Sequence, residues 1–131
     1  MFMLEQHERV IVVLIKNGDK YLITKSPKWH DSWILMGGHI ENNEKPEEAL
    51  TREVKEETGV DVNANYVFLA NFQAPVSDYV RETVMDVWFY LVISPTRDIV
   101  LNDEATEYKW VSKNGLSELI APFNNARAFV N

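Results

Sequence analysis

The chain has 131 residues, 46% of them hydrophobic and 25% charged, which suits one globular domain spanning 1–131 with a core of its own. Its net charge of −7 argues against general or stable nucleic-acid binding, since such affinity comes from basic contacts to phosphates. With no cysteine it has neither a disulfide framework nor thiol chemistry, which fits a cytoplasmic location.

The first predicted element covers residues 9–16, a β-branched run that reads as a strand buried on both faces. Its apolar stretch, 10–15, is too short to cross a membrane. Asn17, Gly18 and Asp19 form a hairpin signal, and residues 20–25 return as an antiparallel strand. Tyr21 and Ile23 fall on one face of that strand and Leu22 on the other. A loop broken by Pro27 follows, and a short strand at 32–36 delivers Gly37 and Gly38 into a loop where backbone freedom or close ligand approach is needed.

Residues 45–58 read as one helix of about four turns. Pro46 suits the first turn, Asn43 or Glu44 the cap, and Gly59 a left-handed stop. At about 100° per residue, Glu53, Glu56 and Glu57 share one arc. Arg52 flanks that arc, Leu50 and Val54 form an apolar seam beside it, and Thr51 and Lys55 point away. Carboxylates at i, i+3 and i+4 repel one another, and a hard divalent cation relieves that repulsion. A solvated acidic face is the plain competing reading, but it leaves the offsets of Gly38, Glu44, Arg52 and Gly59 unexplained.

Further strands are expected at 66–72, 83–93 and 107–112, with loops at 75–82 and 94–103. Asn114 is expected to cap a short helix to about residue 120, and Pro122 to open a last helix over 123–130. This order does not fit a doubly wound parallel sheet. It suggests a mixed β-sheet with helices on two sides.

Residues 38–60, GHIENNEKPEEALTREVKEETGV, resemble the Nudix box, G-x5-E-x7-R-E-U-x-E-E-x-G-U with U apolar, at every defining position. The resemblance implies a Nudix-type α/β/α sandwich and a MutT-like hydrolase. Such an enzyme would use Mg²⁺ or Mn²⁺ to cleave a pyrophosphate linkage in a nucleoside diphosphate derivative, either a nucleoside triphosphate or an ADP-ribose-like compound. It further implies Glu56 and Glu57 as principal metal ligands, Glu53 as a third ligand or positioning group, and the Gly38 carbonyl as another ligand. Glu53, Glu56 and Glu104 are the candidate general bases. Family members often place one more acid before the last strand. Of Asp103, Glu104 and Glu107, the loop residue Glu104 is preferred, also as a metal ligand. Gly37, Gly38, Arg52, Tyr79 and Arg81 make the substrate-binding set, Arg52 acting by orienting a carboxylate. Glu44 either supports the box loop or simply charges the helix start. Met36 stands where the family often has proline.

Trp29 and Tyr79 are the loop aromatics placed to stack on a base, and Arg81 and Lys25 are candidate phosphate contacts, against the plain reading of solvated cations. His7, His30 and His39 lack metal-like spacing and read as surface or packing residues, with His39 nearest the box. The expected partner is a small-molecule nucleotide, no membrane is involved, and a homodimer is compatible with the sequence. Pro75 lies fifteen residues past Val60, a spacing similar to that of the family's ADP-ribose pyrophosphatases. The short chain looks instead like the compact nucleoside triphosphate enzymes. A catalytically silent Nudix-fold sensing module is the rival reading, but such modules typically lose box carboxylates, and all are present here.

Overall fold

The computed structural model describes residues 6–77, 82–121 and 123–130, with backbone alone at 6, 7, 75–77, 82 and 83. Seven strands form one mixed sheet: β1 Gln6–Asn17, β2 Lys20–Ser26, β3 Ser32–Ile34, β4 Met36–His39, β5 Tyr66–Ser77, β6 Glu82–Ile93 and β7 Glu107–Val111. The order β3-β2-β1-β6-β5 forms the main path, with β4 against β1 and β7 against β2. The β1–β6 pair is parallel; the other pairs are antiparallel.

The strand expected at 32–36 is two strands. β1 and β2 pair only near their hairpin, from Ile15↔Leu22 to Asn17↔Lys20. Beyond that they splay, and the following segment fills the fork. β3 pairs with β2, and β4 pairs with β1, with buried Leu35 as the corner between them. Gly37 and Gly38 therefore lie on a strand and not in a loop.

Period-two alternation in β1 splits the core between two faces of the sheet. Ile11, Val13 and Ile15 face α1 Pro46–Thr58, the single α-helix among the described residues, and meet its Leu50 and Val54. Leu14, with Val12 packed beside it, faces the C-terminal segment and meets Leu116, Leu119 and Ala126. Leu50 and Val54 are fully buried, and each contributes about 1.5–3 kcal/mol of apolar burial. That seam sets how α1 is rotated about its own axis.

The cap of α1 differs from expectation. Pro46 opens the helix, but the capping residue is Lys45, whose N–H donates to Glu48 Oε1 at 2.9 Å. Asn43 instead occupies a left-handed turn (φ 67°), and Glu44 is drawn away by Arg52. Gly59 ends the helix as expected, at φ 78°, its N–H donating to Lys55 O.

The two C-terminal helices are 3₁₀ segments, Lys113–Glu118 and Phe123–Phe129. Their apolar residues recur every three positions, Leu116 with Leu119 and Phe123 with Ala126 and Phe129. A 3₁₀ turn stacks such residues on one face, where an α-helix would spread them. Asn114 does not cap; its Oδ1 accepts from Arg127 Nη2 at 3.0 Å. β5 also runs past residue 72 to Ser77, a course open to Pro75 because β5 is an edge strand and needs no N–H there. The result is an α/β/α-type sandwich with α1 on one face and 3₁₀ turns on the other.

Candidate active site

Antiparallel pairing of β4 with β1 brings Gly38 opposite Ile11, and α1 crosses above this end of the sheet. With Leu50 and Val54 turned into the core, Glu53 and Glu57 face β4. They are 8% and 9% exposed, low values for carboxylates. Gly38 is glycine because of this approach: a Cβ added there would fall on the Glu53 carboxyl group. At Gly37 a Cβ would strike the Ile11 carbonyl oxygen. Neither glycine has positive φ, so close packing, rather than backbone freedom, accounts for the pair.

Arg52 organises the loop before the helix. Its Nε and Nη2 donate to Glu44 at 2.8 and 2.9 Å, its Nη1 donates to Glu53 Oε1 at 2.8 Å, and Nη2 also donates to the His39 carbonyl at 3.0 Å. Glu44 further accepts the Glu41 N–H at 3.0 Å. These bonds, Arg52 first, lower the Glu44 pKa to about 2, and the same carboxylates raise that of Arg52. Glu44 is therefore a strut between loop and helix, and the fork-shaped guanidinium is occupied by protein acceptors.

Glu104 arrives from the loop before β7. Its N–H donates to Asn102 Oδ1 at 3.0 Å, and the loop is fastened where the Thr106 N–H donates to Lys25 O at 2.9 Å. One carboxylate oxygen from each of Glu53, Glu57 and Glu104 lies within 4.8 Å of the other two. Burial, a hydrogen bond with Glu104 and the neighbouring negative charges raise the Glu57 pKa to about 10. Burial also raises Glu53, against the opposing pull of Arg52. Glu57 Oε2 is buried with no hydrogen-bond partner among the described residues. Converging carboxylates, one with an orphaned buried oxygen, form a donor set suited to a hard divalent cation.

A cleft of about 1240 Å³ opens from this cluster. It runs past Val10, Val12, Val87 and Phe89 to the C-terminal segment, where Phe123 stands edge-on to Trp29 with ring centroids 5.1 Å apart.

The NUDIX domain profile matches residues 5–129. The chain belongs to the NUDIX family. It is 32% identical over 118 residues to a protein of Salmonella agona named nucleoside triphosphatase NudI, across 82% of this chain and 84% of that protein. Its fold is similar to that of a MutT NUDIX hydrolase from Burkholderia pseudomallei, with a TM-score of 0.76, 20% identity, and coverage of 96% and 99% of the two chains. It is similar also to the E. coli dihydroneopterin triphosphate pyrophosphohydrolase, with a TM-score of 0.74, 23% identity, and coverage of 95% and 94%. The protein is a Nudix pyrophosphohydrolase.

Within this Nudix domain the residues singled out from sequence separate. Glu53, Glu57 and Glu104 come together, and Gly37 and Gly38 line the cleft beside them. Glu56 lies outside that cluster: its side chain is 54% exposed and sits 3.5 Å from Arg52 Nη1. Arg52, placed in the substrate-binding set, does not line the cleft and is spent on the box itself. Glu107 points elsewhere, 3.4 Å from Lys25, so Lys25 is paired and also lies over Trp33. His39 lines the cleft and meets Glu8 at 2.9 Å. Tyr79 and Arg81 lie outside the described residues. Phe123 and Asn125, both lining the cleft, escaped sequence reasoning. The three-residue apolar period of 123, 126 and 129 is the signal that locates this wall.

Proposed function

We propose that the protein hydrolyses a pyrophosphate linkage in a nucleoside triphosphate or related nucleoside diphosphate derivative, with Mg²⁺ or Mn²⁺ held by Glu53, Glu57 and Glu104 beside Gly38. The observation that carries this reading is the convergence of those carboxylates at one end of a cleft large enough for a nucleotide. A bound divalent ion supplies charge neutralisation of the pyrophosphate and acidifies a coordinated water.

The chain's own groups divide the remaining work. Arg52 fixes the Glu53 carboxylate through Oε1. Glu57 holds a proton that must leave before the site fills. Glu104, exposed on its loop, is the general base that takes the proton of the attacking water. Glu53 is held by Arg52, and Glu56 lies outside the cluster. Trp29 and Phe123 offer aromatic surface for a base. A relative named for nucleoside triphosphates favours a triphosphate over an ADP-ribose-like substrate. No helix among the described residues is long and apolar enough to cross a membrane, and a cytoplasmic location fits the absence of cysteine.

The test is a panel of nucleoside triphosphates and diphosphate derivatives, with phosphate and pyrophosphate release followed in Mg²⁺ and in Mn²⁺. Turnover is expected with at least one nucleotide, abolished by excess EDTA and restored by added metal. Activity that persists unchanged in chelator would overturn the metal assignment, and no release from any nucleotide would overturn the substrate class.

A further inference from the structure

The cleft is rich in acids: Glu41, Glu53, Glu57, Asp103 and Glu104 all line it. Among the described lysines and arginines, Lys28 alone lines it with them. The other described cations around this end of the sheet are engaged. Lys25 pairs with Glu107, Arg52 with Glu44 and Glu53, and Lys109 with Glu118. Lys28 is exposed, and among the described residues no acid pairs with its ammonium.

Its position is built. Lys28 is the middle residue of the 3₁₀ turn Pro27–Trp29. Pro27 restricts the backbone at one end of the turn. At the other, His30 takes the left-handed conformation and its N–H closes on Pro27 O at 3.1 Å. The Asp31 N–H donates to Ser26 O at 2.9 Å, and Trp29 packs edge-on against Phe123. The turn leaves the end of β2, and the loop carrying Glu104 is tied to that same strand end through Lys25 O. The cation and the carboxylate cluster are thus mounted on one support at the cleft.

We propose that Lys28 is a phosphate-binding residue that takes the end of a polyphosphate chain whose scissile linkage lies at Glu53, Glu57 and Glu104, and so selects polyphosphates over monophosphates. This rests on the nucleotide reading above. The physical need is direct. Divalent ions at the carboxylates offset charge at one end of the chain. For the phosphate beyond them, in a cleft this acidic, Lys28 is the one lysine or arginine among the described lining residues placed to supply a counter-charge.

Calorimetry on the full chain in saturating Mg²⁺ tests it, with inorganic tripolyphosphate and a nucleoside monophosphate as probes. Lys28→Met is expected to weaken tripolyphosphate binding by about tenfold or more, the scale of one charge-assisted hydrogen bond. Monophosphate binding should be unchanged, and Lys28→Arg should restore tripolyphosphate binding to within about threefold. In turnover of a nucleoside triphosphate, KM should rise while kcat changes less, as for a contact made equally in ground and transition states. Equal losses for both probes, or no loss for tripolyphosphate, would overturn the proposal. If the parent turns over no nucleotide yet Lys28→Met still weakens tripolyphosphate, the nucleotide reading fails and the phosphate contact stands. If the parent hydrolyses nucleotides and Lys28→Met binds tripolyphosphate normally, the contact alone fails.

Discussion

Glu57→Gln is expected to lower kcat by about a thousandfold or more while leaving the fold intact. The substitution keeps the shape of a nearly buried side chain but removes a charged metal ligand, and chemistry that depends on the ion's electrostatics goes with it. The same variant should lose the thermal response to Mg²⁺. In the parent, a cation at about a hundred times its Kd stabilises the native state by about 2.7 kcal/mol.

A pH signature accompanies this. Without metal, the Glu57 carboxyl titrates near 10 in the folded state against an ordinary 4.5. Between those values the unfolded chain releases the proton that the folded chain retains, so stability falls as pH rises. Glu53, also raised, acts in the same direction. Glu44 acts in the opposite one: its folded pKa of about 2 lies below 4.5, so its contribution is present above 4.5 and lost as pH falls toward 2. Melting of the metal-free parent should therefore decline from about pH 5 to pH 9 more steeply than melting of Glu57→Gln. Mg²⁺ binding to the parent should release protons, measurable by calorimetry in buffers of different ionisation enthalpy. If parent and variant respond equally to Mg²⁺ and to pH, Glu57 is not a ligand.

Glu104→Gln and Glu107→Gln form the second experiment. Glu104 shares the carboxylate cluster, whereas Glu107 sits on β7 beside Lys25. Glu104→Gln removes charge and basicity at the reacting centre and should lower kcat by about ten- to a thousandfold, with a smaller change in substrate affinity. Glu107→Gln should stay within about threefold of the parent, a barrier change below about 1 kcal/mol. Steady-state kinetics with thermal melts alongside separate catalysis from unfolding. A severe loss in Glu107→Gln beside a near-normal Glu104→Gln would reverse the roles.

The features legible in the sequence were those governed by near neighbours. Pro46 and Gly59 bracket the helix because a proline lacks the N–H and a glycine tolerates positive φ at those positions. The unbroken apolar run of 10–15 placed β1 between two apolar layers, and the Nudix box spacing identified the family from residues 38–60 alone. The break at Leu35 was not legible, because it arises where β1 and β2 splay and two strands must share one fork. The 3₁₀ form of the C-terminal turns is not legible from capping residues, because it follows the three-residue apolar period that packs one face against the sheet.

For the site itself, local geometry could only say that Glu53, Glu56 and Glu57 share an arc of one helix. Which of them face the cleft was decided by the packing of Leu50 and Val54 against β1, which rotates α1 until Glu53 and Glu57 turn inward and Glu56 is left at the rim. Glu104 was decided further still from home. No spacing along the chain relates it to Glu57. It reaches the cluster because β7 pairs with β2 and the loop before β7 is fastened to Lys25, so a carboxylate remote in sequence lands beside two on the helix. A motif encodes contacts that recur every few residues. Contacts closed by a sheet depend on register between distant strands, and only the folded chain supplies that.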